Sequence, residues 1–220
     1  MEHLLIVGSS GHAKVIIDIA EKQGKYAISG LLDASREIGE KTMGYKVIGR
    51  DTDIATIYEQ YSPCSIFIAI GDNWIRQKVS MEIKRSVPNV KFASLVHPSA
   101  QIGKNVSIGD GVVIMAGAVV NSDSTVEDFT IINTKASLDH DGTLSAFASL
   151  GPGVTAGGNV FVGQFSAVSI GATIKHGIRI GEHVVIGAGS VVVKNVEDNV
   201  VIYGVPAKKI RVREVGEKYL

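Results

Sequence analysis

The stretch QIGKNVSIGDGVVIMAGAVVNSDSTVEDFTIINTKASLDHDGTLSAFASL, residues 101–150, decides the fold, and its pattern continues to Val192. Stepping by six from Ile102 reaches Ile108, Ile114, Val120, Val126, Ile132, Leu138, Leu144, Leu150, Ala156, Val162, Val168, Ile174, Ile180, Ile186 and Val192. Fifteen of these sixteen positions are Ile, Leu or Val. A second register, from Val106 through Val112, Ala118 and Ser124 to Val196, carries residues that are small or β-branched. A six-residue unit is one short strand plus one turn, and three units close one triangular coil, so the pattern predicts a left-handed parallel β-helix. The aliphatic register forms its inner ladder and the small register fills its corners. No inserted loop interrupts the run.

Before this run the pattern is different. Leu4–Val7, Ile28–Leu32, Tyr45–Ile48, Ser65–Ile70 and Phe92–Val96 read as strands. Helical spacing follows at Ala13, Ile16, Ile17 and Ala20, over Asp51–Tyr61 and over Trp74–Arg85. Alternating strands and helices predict a parallel sheet, a Rossmann-like α/β domain. The expected organisation is an α/β domain over 1–97, a β-helix over 98–203 and a tail over 204–220. In the tail, Pro206 is expected to stop strand pairing and Ile210–Lys218 to form a charged capping helix.

Lys plus Arg and Asp plus Glu balance at 22 each, which excludes broad nonspecific attraction to nucleic acid or anionic membrane. The single cysteine, Cys64, permits no intrachain disulfide and fits a reducing cytoplasm. The apolar run near the N-terminus is too short for a signal peptide, and none is long enough to span a membrane.

Two clusters carry chemistry. Gly8-Ser9-Ser10-Gly11 links a strand to a helix, where backbone N–H groups approach an anion. Its G-x-x-G spacing falls short of a dinucleotide fingerprint. Asp33 ends the second strand, where folds of this class place a ribose-binding carboxylate. Gly71-Asp72-Asn73 ends another strand at the same sheet edge, and Arg76 follows one helical turn later, able to face a phosphate or to sit on a solvated helix face. The second cluster is Asp139-His140-Asp141, at a turn on the outside of the prism. An imidazole beside a carboxylate is a general base suited to neutral pH.

The ladder followed by GVPAKKI resembles the hexapeptide acyltransferases. GSSGHAKVIIDIA, AIGDNWIRQK, LVHPSA and the Asp-His-Asp within the ladder together resemble one subfamily, the bacterial UDP-amino-sugar N-acetyltransferases and the related sialic acid O-acetyltransferases. The resemblance covers nearly the whole chain. It implies acetyl-CoA as co-substrate, and a UDP-sugar bound by the first domain, with Gly8, Ser10, Gly11, His12, Asp33, Gly71, Asn73 and Arg76 as its site. It carries His140 over as catalytic base and Asp141 as its acidic partner. Gly158 and Ala188 are implied at the pantetheine and thioester, Pro206 and Ala207 at the adenine, with Lys208, Lys209 and Arg211 near the phosphates. Relatives often carry a second histidine nine residues after the first; Ser149 stands there in this chain and is assigned to the cofactor side. A homotrimer with active sites between protomers is implied as well.

Other readings share parts of this pattern. O-acetylation of a sialic acid uses the same base chemistry. A non-catalytic nucleotide-sugar binder would not need the His140-Asp141 pair. A metalloenzyme is disfavoured: His140 and His176 lie two coils apart, ~9.5 Å at strand spacing, too far to share one ion.

Overall fold

The computed structural model describes residues 1–219. Contacts divide the chain into two units, one of Met1–Gly71 with Ile75–Pro98, the other of Asp72–Trp74 with the chain from Ser99 onward.

The first unit is a sheet with helices. Its elements are β1 (Glu2–Val7), α1 (Gly11–Gln23), β2 (Tyr26–Leu32), β3 (Lys41–Thr42), β4 (Tyr45–Gly49), α2 (Ile54–Gln60), β5 (Cys64–Ile68) and, from Ile75 onward, α3 (Asn73–Ser86), whose first two residues belong to the second unit. Strand order is β3-β4-β2-β1-β5, parallel except for the β3–β4 pair. Leu4, Leu5 and Ile6 of β1 are buried completely, as expected for a central strand covered on both faces. The chain runs outward from β1 through β2 and then returns to β1's other side as β5. The ends of β1 and β5 therefore form a topological switch point, where open α/β sheets bind ligands. The expected strand over Phe92–Val96 is not continuous: Phe92 makes a single bridge to Ile66, and only Leu95–Val96 is extended as a strand.

The second unit is the parallel β-helix. Among the described residues, sixteen two-residue strands run from Gln101–Ile102 to Val191–Val192. Each pairs in parallel with the strand eighteen residues away, as Val119 does with Gln101 on one side and Ser137 on the other. The inward register is a packed core, with Val120, Ile132, Leu138, Leu144 and Leu150 fully buried. The second register is buried too, including the hydroxyls of Ser124, Thr130, Ser166 and Ser190. Those hydroxyls are satisfied on backbone, as where Ser166 Oγ donates to the Gly181 carbonyl at 2.7 Å and accepts from the Val184 amide.

Every corner turns through a left-handed residue. From Asn105 to Gly189, each sixth residue has φ between +53° and +71°. Gly, Asn and Asp occupy most of these corners, as left-handed backbone favours. Lys135 departs from that preference, and so do the ring-bearing Phe129, Phe147, Phe165 and His183. Their rings stack along one edge, with centroids 4.9, 5.5 and 4.7 Å apart, and this stacking offsets the strain.

The tail differs from expectation. Val200–Gly204 adds in parallel to Val185–Ile186, and Ala207–Val212 returns antiparallel against it. No helix covers Ile210–Lys218; residues 207–212 are strand. The reason is the exposed edge of Val200–Gly204, whose unpaired backbone groups a returning strand satisfies and a helix would not. Gly204, at φ +106°, and Pro206 make the reversal.

Truncating the inner ladder should be costly and truncating the outside should not. Leu144→Ala is expected to cost about 2–5 kcal/mol of stability. Ile170→Ala, at a side chain 57% exposed, should stay within about 0.5 kcal/mol. Denaturant melts of the two variants check this, and equal losses would contradict the assigned inward register.

Candidate active site

The first unit holds a cleft of about 300 Å3 at its switch point, lined among others by Gly8, Ser9, Ser10, Asp33, Asp51 and Gly71. Gly8 is required there: φ is +101°, and a Cβ would lie 2.9 Å from the Ala69 carbonyl oxygen. Ser10 caps α1 without a side-chain hydrogen bond, and the first turn carries no acidic residue. The helix N-terminus thus offers free N–H groups and a favourable dipole to an anion. Gly11, the first helical residue, is exposed, with open space where a Cβ would be.

Asp33 organises this loop. Its Oδ2 accepts from the Ser9 amide at 2.9 Å and the Ser9 hydroxyl at 2.6 Å. Its Oδ1 accepts from the Ser35 amide and hydroxyl and from the Arg36 amide. Burial pushes the Asp33 carboxyl upward, but the hydrogen bonds from Ser9, Ser35 and Arg36 outweigh it and hold it at about 2. Because the folded value lies below the ordinary one, the loop gains stability above the ordinary carboxylate range and loses it as pH falls toward 2.

Two expected acceptor contacts are corrected. Arg76 does not sit on a solvated helix face. It is 1% exposed, and its guanidinium donates to the carbonyls of Ile70 and Gly71 at 2.9 and 3.0 Å, so it fixes the end of β5. Asn73, also 1% exposed, belongs to the second unit, where its amide donates to Ser149 Oγ and to the carbonyls of Phe165 and Ser166. Sequence alone cannot tell the inner from the outer side of a helix's first turn. His12 is held neutral: burial first, then the charge of Arg76, lower it to about 4. Its Nε2 is buried without a partner and does not line the cleft. Asp51, not foreseen, lines both this cleft and an adjoining cavity of about 460 Å3 that also includes Arg50 and Glu82.

In the second unit, His140 Nδ1 lies 2.7 Å from Asp141 Oδ2, with both side chains about half exposed, at 51% and 54%. Asp141 occupies a left-handed corner at φ +57°, the position that every hexad reserves for such a residue. The carboxylate is therefore beside the imidazole because the coil turns there. The hydrogen bond to Asp141, aided by the charge of Asp139, raises the His140 pKa above its ordinary value. Asp139 accepts from Asn121 Nδ2 at 2.6 Å and from the His140 amide, and these bonds lower its own pKa. With Nδ1 engaged, Nε2 is the nitrogen left for chemistry.

That nitrogen hangs over Gly158, one coil on. A Cβ at Gly158 would sit 2.5 Å from His140 Nε2, so only glycine leaves the ring its place. His176 is the next residue in the same line, and its ring centroid is 6.1 Å from that of His140. The pair is closer than coil spacing alone predicts, because no side chain at Gly158 separates the rings. Among the described residues, no three His, Cys, Asp or Glu side chains group as metal ligands.

The remaining expected positions are scattered along the prism. Ser149 Oγ, half-buried, accepts from Asn73. Ala188 is exposed at a corner, and Pro206, Ala207 and Lys208 form the turn and first residues of the returning strand. Lys209 pairs with Glu197 and Arg211 with Glu217, so of the three cations assigned to phosphates only Lys208 has no ion pair among the described residues.

The model of the family described as the PglD N-terminal domain matches residues 3–83. A crystal structure of a histidine-to-asparagine variant of perosamine N-acetyltransferase from Caulobacter crescentus, with CoA and GDP-perosamine, is similar over 96% of this chain and 98% of that one. It has a TM-score of 0.90 and 36% identity. The acetyltransferase domain of PglB from Neisseria gonorrhoeae, in complex with acetyl coenzyme A, is 31% identical over 95% of this chain and 99% of that one, with a TM-score of 0.87. UDP-N-acetylbacillosamine N-acetyltransferase of Bacillus subtilis is 32% identical over 117 residues, 53% of this chain. The chain spans 24% and 52% of the lengths of the curated relatives it matches.

The His140–Asp141 contact can be read in solution. Histidine NMR titration should give His140 a pKa above 6.5 that falls when Asp141 is changed to Asn. The same value in both proteins would contradict the pairing.

Proposed function

This chain belongs to the hexapeptide-repeat acyltransferase family that includes the nucleotide-amino-sugar N-acetyltransferases, and we propose that it transfers the acetyl group of acetyl-CoA to the amine of a nucleotide-linked amino sugar. The observation that carries this reading is the His140–Asp141 pair at 2.7 Å, with its free Nε2 over the bare Gly158 backbone.

The chemistry follows from that geometry. An ammonium is not a nucleophile, so the attacking amine must lose a proton as it meets the thioester carbonyl. His140 Nε2 takes that proton, while Asp141 holds the ring's orientation and stabilises the imidazolium. The new C–N bond forms, the C–S bond breaks, and the proton passes from His140 to the departing thiolate. Gly158, without a side chain, leaves the His140 ring room to lie against the coil. Ala188, Pro206, Ala207 and Lys208 belong to the same prism and are assigned to the rest of acetyl-CoA, with Ser149 on the cofactor side. Lys209 and Arg211 would have to exchange their exposed carboxylate partners for phosphate, a modest cost for surface ion pairs.

The cleft of the first unit is assigned to the nucleotide end of the acceptor. The free N–H groups after Ser10 suit a diphosphate, with Gly8, Gly11 and Gly71 leaving room for it. Asp33, already holding Ser9, is a positioning residue for this loop as well as the carboxylate nearest a ribose. The sugar is carried on UDP, as the sequence resemblance implies, or on GDP, as in the Caulobacter complex. We also assign the working form as a homotrimer in which a neighbouring prism completes each site. Sedimentation at micromolar concentration should then give three chains per particle, and an active monomer would overturn that assignment.

The test is release of CoA thiol from acetyl-CoA against a panel of UDP- and GDP-linked amino sugars and free sialic acids. Release with an amino sugar on one nucleotide is expected, and release only with sialic acid would overturn N-transfer. His140→Ala should lower kcat by about 10²–10⁴-fold while acetyl-CoA still binds. The defect should shrink as pH rises, because more of the sugar amine is then already deprotonated. A variant within twofold of wild type at every pH would remove His140 from the mechanism.

A further inference from the structure

His140, Gly158 and His176 are eighteen residues apart and so occupy one slot of three successive coils. Parallel coils stack at ~4.8 Å, which would hold two side chains standing straight out at His140 and His176 ~9.5 Å apart. Their ring centroids are 6.1 Å apart instead, at an interplanar angle of 47°. The closure is possible because the middle residue is glycine. A Cβ there would meet Nε2, Cε1 and Cδ2 of His140 at 2.5, 2.6 and 3.0 Å. The His140 ring lies over the Gly158 backbone, and the His176 ring faces it from the coil beyond.

The two rings differ in how they are held. His140 has its Nδ1 on Asp141, and its Nε2 lies over Gly158. His176 is exposed, between Lys175 and Gly177. The rings are too far apart to hydrogen-bond each other, so each is left to bond a third group, and one oxygen atom could serve both. A neutral imidazole always carries one N–H, so His176 can donate without being charged.

We infer that His176 is a second substrate-contacting residue, donating a hydrogen bond to the acyl oxygen of a thioester that lies beside the His140 ring. The inference rests on the acetyl-transfer reading above. As the amine attacks, its proton goes to His140 Nε2 and the carbonyl π pair moves onto oxygen. The His176 N–H stabilises that oxyanion. When the C–S bond breaks, the pair returns to the carbonyl and the proton on His140 goes to sulfur. The two imidazoles divide the work, one moving the proton and the other holding the charge. A donor aimed at the developing oxyanion acts on kcat rather than on ground-state binding.

The test compares wild type, His176→Ala and His176→Gln in the CoA-release assay, with thermal melts of all three. The side chain is exposed, so the melting temperatures should agree. His176→Ala should lose roughly 10²-fold in kcat, with KM for acetyl-CoA and for the amino sugar each within about threefold. His176→Gln keeps an N–H donor and should recover part of the loss. Two results would overturn the inference: His176→Ala within twofold of wild type in kcat, or a raised acetyl-CoA KM with kcat unchanged, which would make His176 a holder of the arm only. If wild type itself releases no CoA with any amino sugar, the acetyl-transfer reading fails, and that failure is distinct from a silent His176.

Discussion

Stacking of each coil on the next at an offset of eighteen residues is the constraint from which the rest of the second unit follows. Parallel pairing sets the offset, as in Ser137 with Thr155 and Val119 with Ser137. Once it is set, any residue shares a line with those eighteen before and after it. The aliphatic line becomes a core, the serine and threonine positions become hydroxyls bonded to backbone, and Phe129, Phe147, Phe165 and His183 become a stack. The same rule makes a site. His140, Gly158 and His176 meet because they share a line, and Asp141 meets His140 because the next residue is the left-handed corner.

The His140–Asp141 pair costs the fold little, because it lies on the outside. The corner that accepts Asp141 would accept Asn or Gly, as it does at Asn159 and Gly177. A buried carboxylate would need more partners to offset its desolvation. The first unit shows the opposite arrangement. There Asp33 holds five hydrogen bonds, and the turn after β1 keeps its shape because that carboxylate pins Ser9.

Much of this was legible in the sequence. The six-residue step from Ile102 predicts the coils, and burial of Leu138, Leu144 and Leu150 bears out the inward register. The Asp-His-Asp run was readable because two carboxylates flank one imidazole. The line of rings was also present, at a period of eighteen, but two registers of six do not reveal it. Asn73 and Arg76 were misplaced for a different reason. Both sit in the first turn of a helix, where spacing cannot say which carbonyls a buried guanidinium or amide will find. The tail misled because its charges resemble a capping helix, whereas the open edge at Val200–Gly204 selects a strand.

The central claim is that the absence of a side chain at Gly158 lets the His140 imidazole lie where acyl transfer needs it. Gly158→Ala tests it most directly, because the added carbon would fall 2.5 Å from Nε2 and the ring must swing away. The measurement is the rate of CoA thiol release from acetyl-CoA and the best amino-sugar acceptor, with the melting temperature as control. The account predicts a loss of about 10²-fold or more at an unchanged melting temperature, as a misplacement of about 1 Å can cause. A rate within twofold of wild type would contradict it.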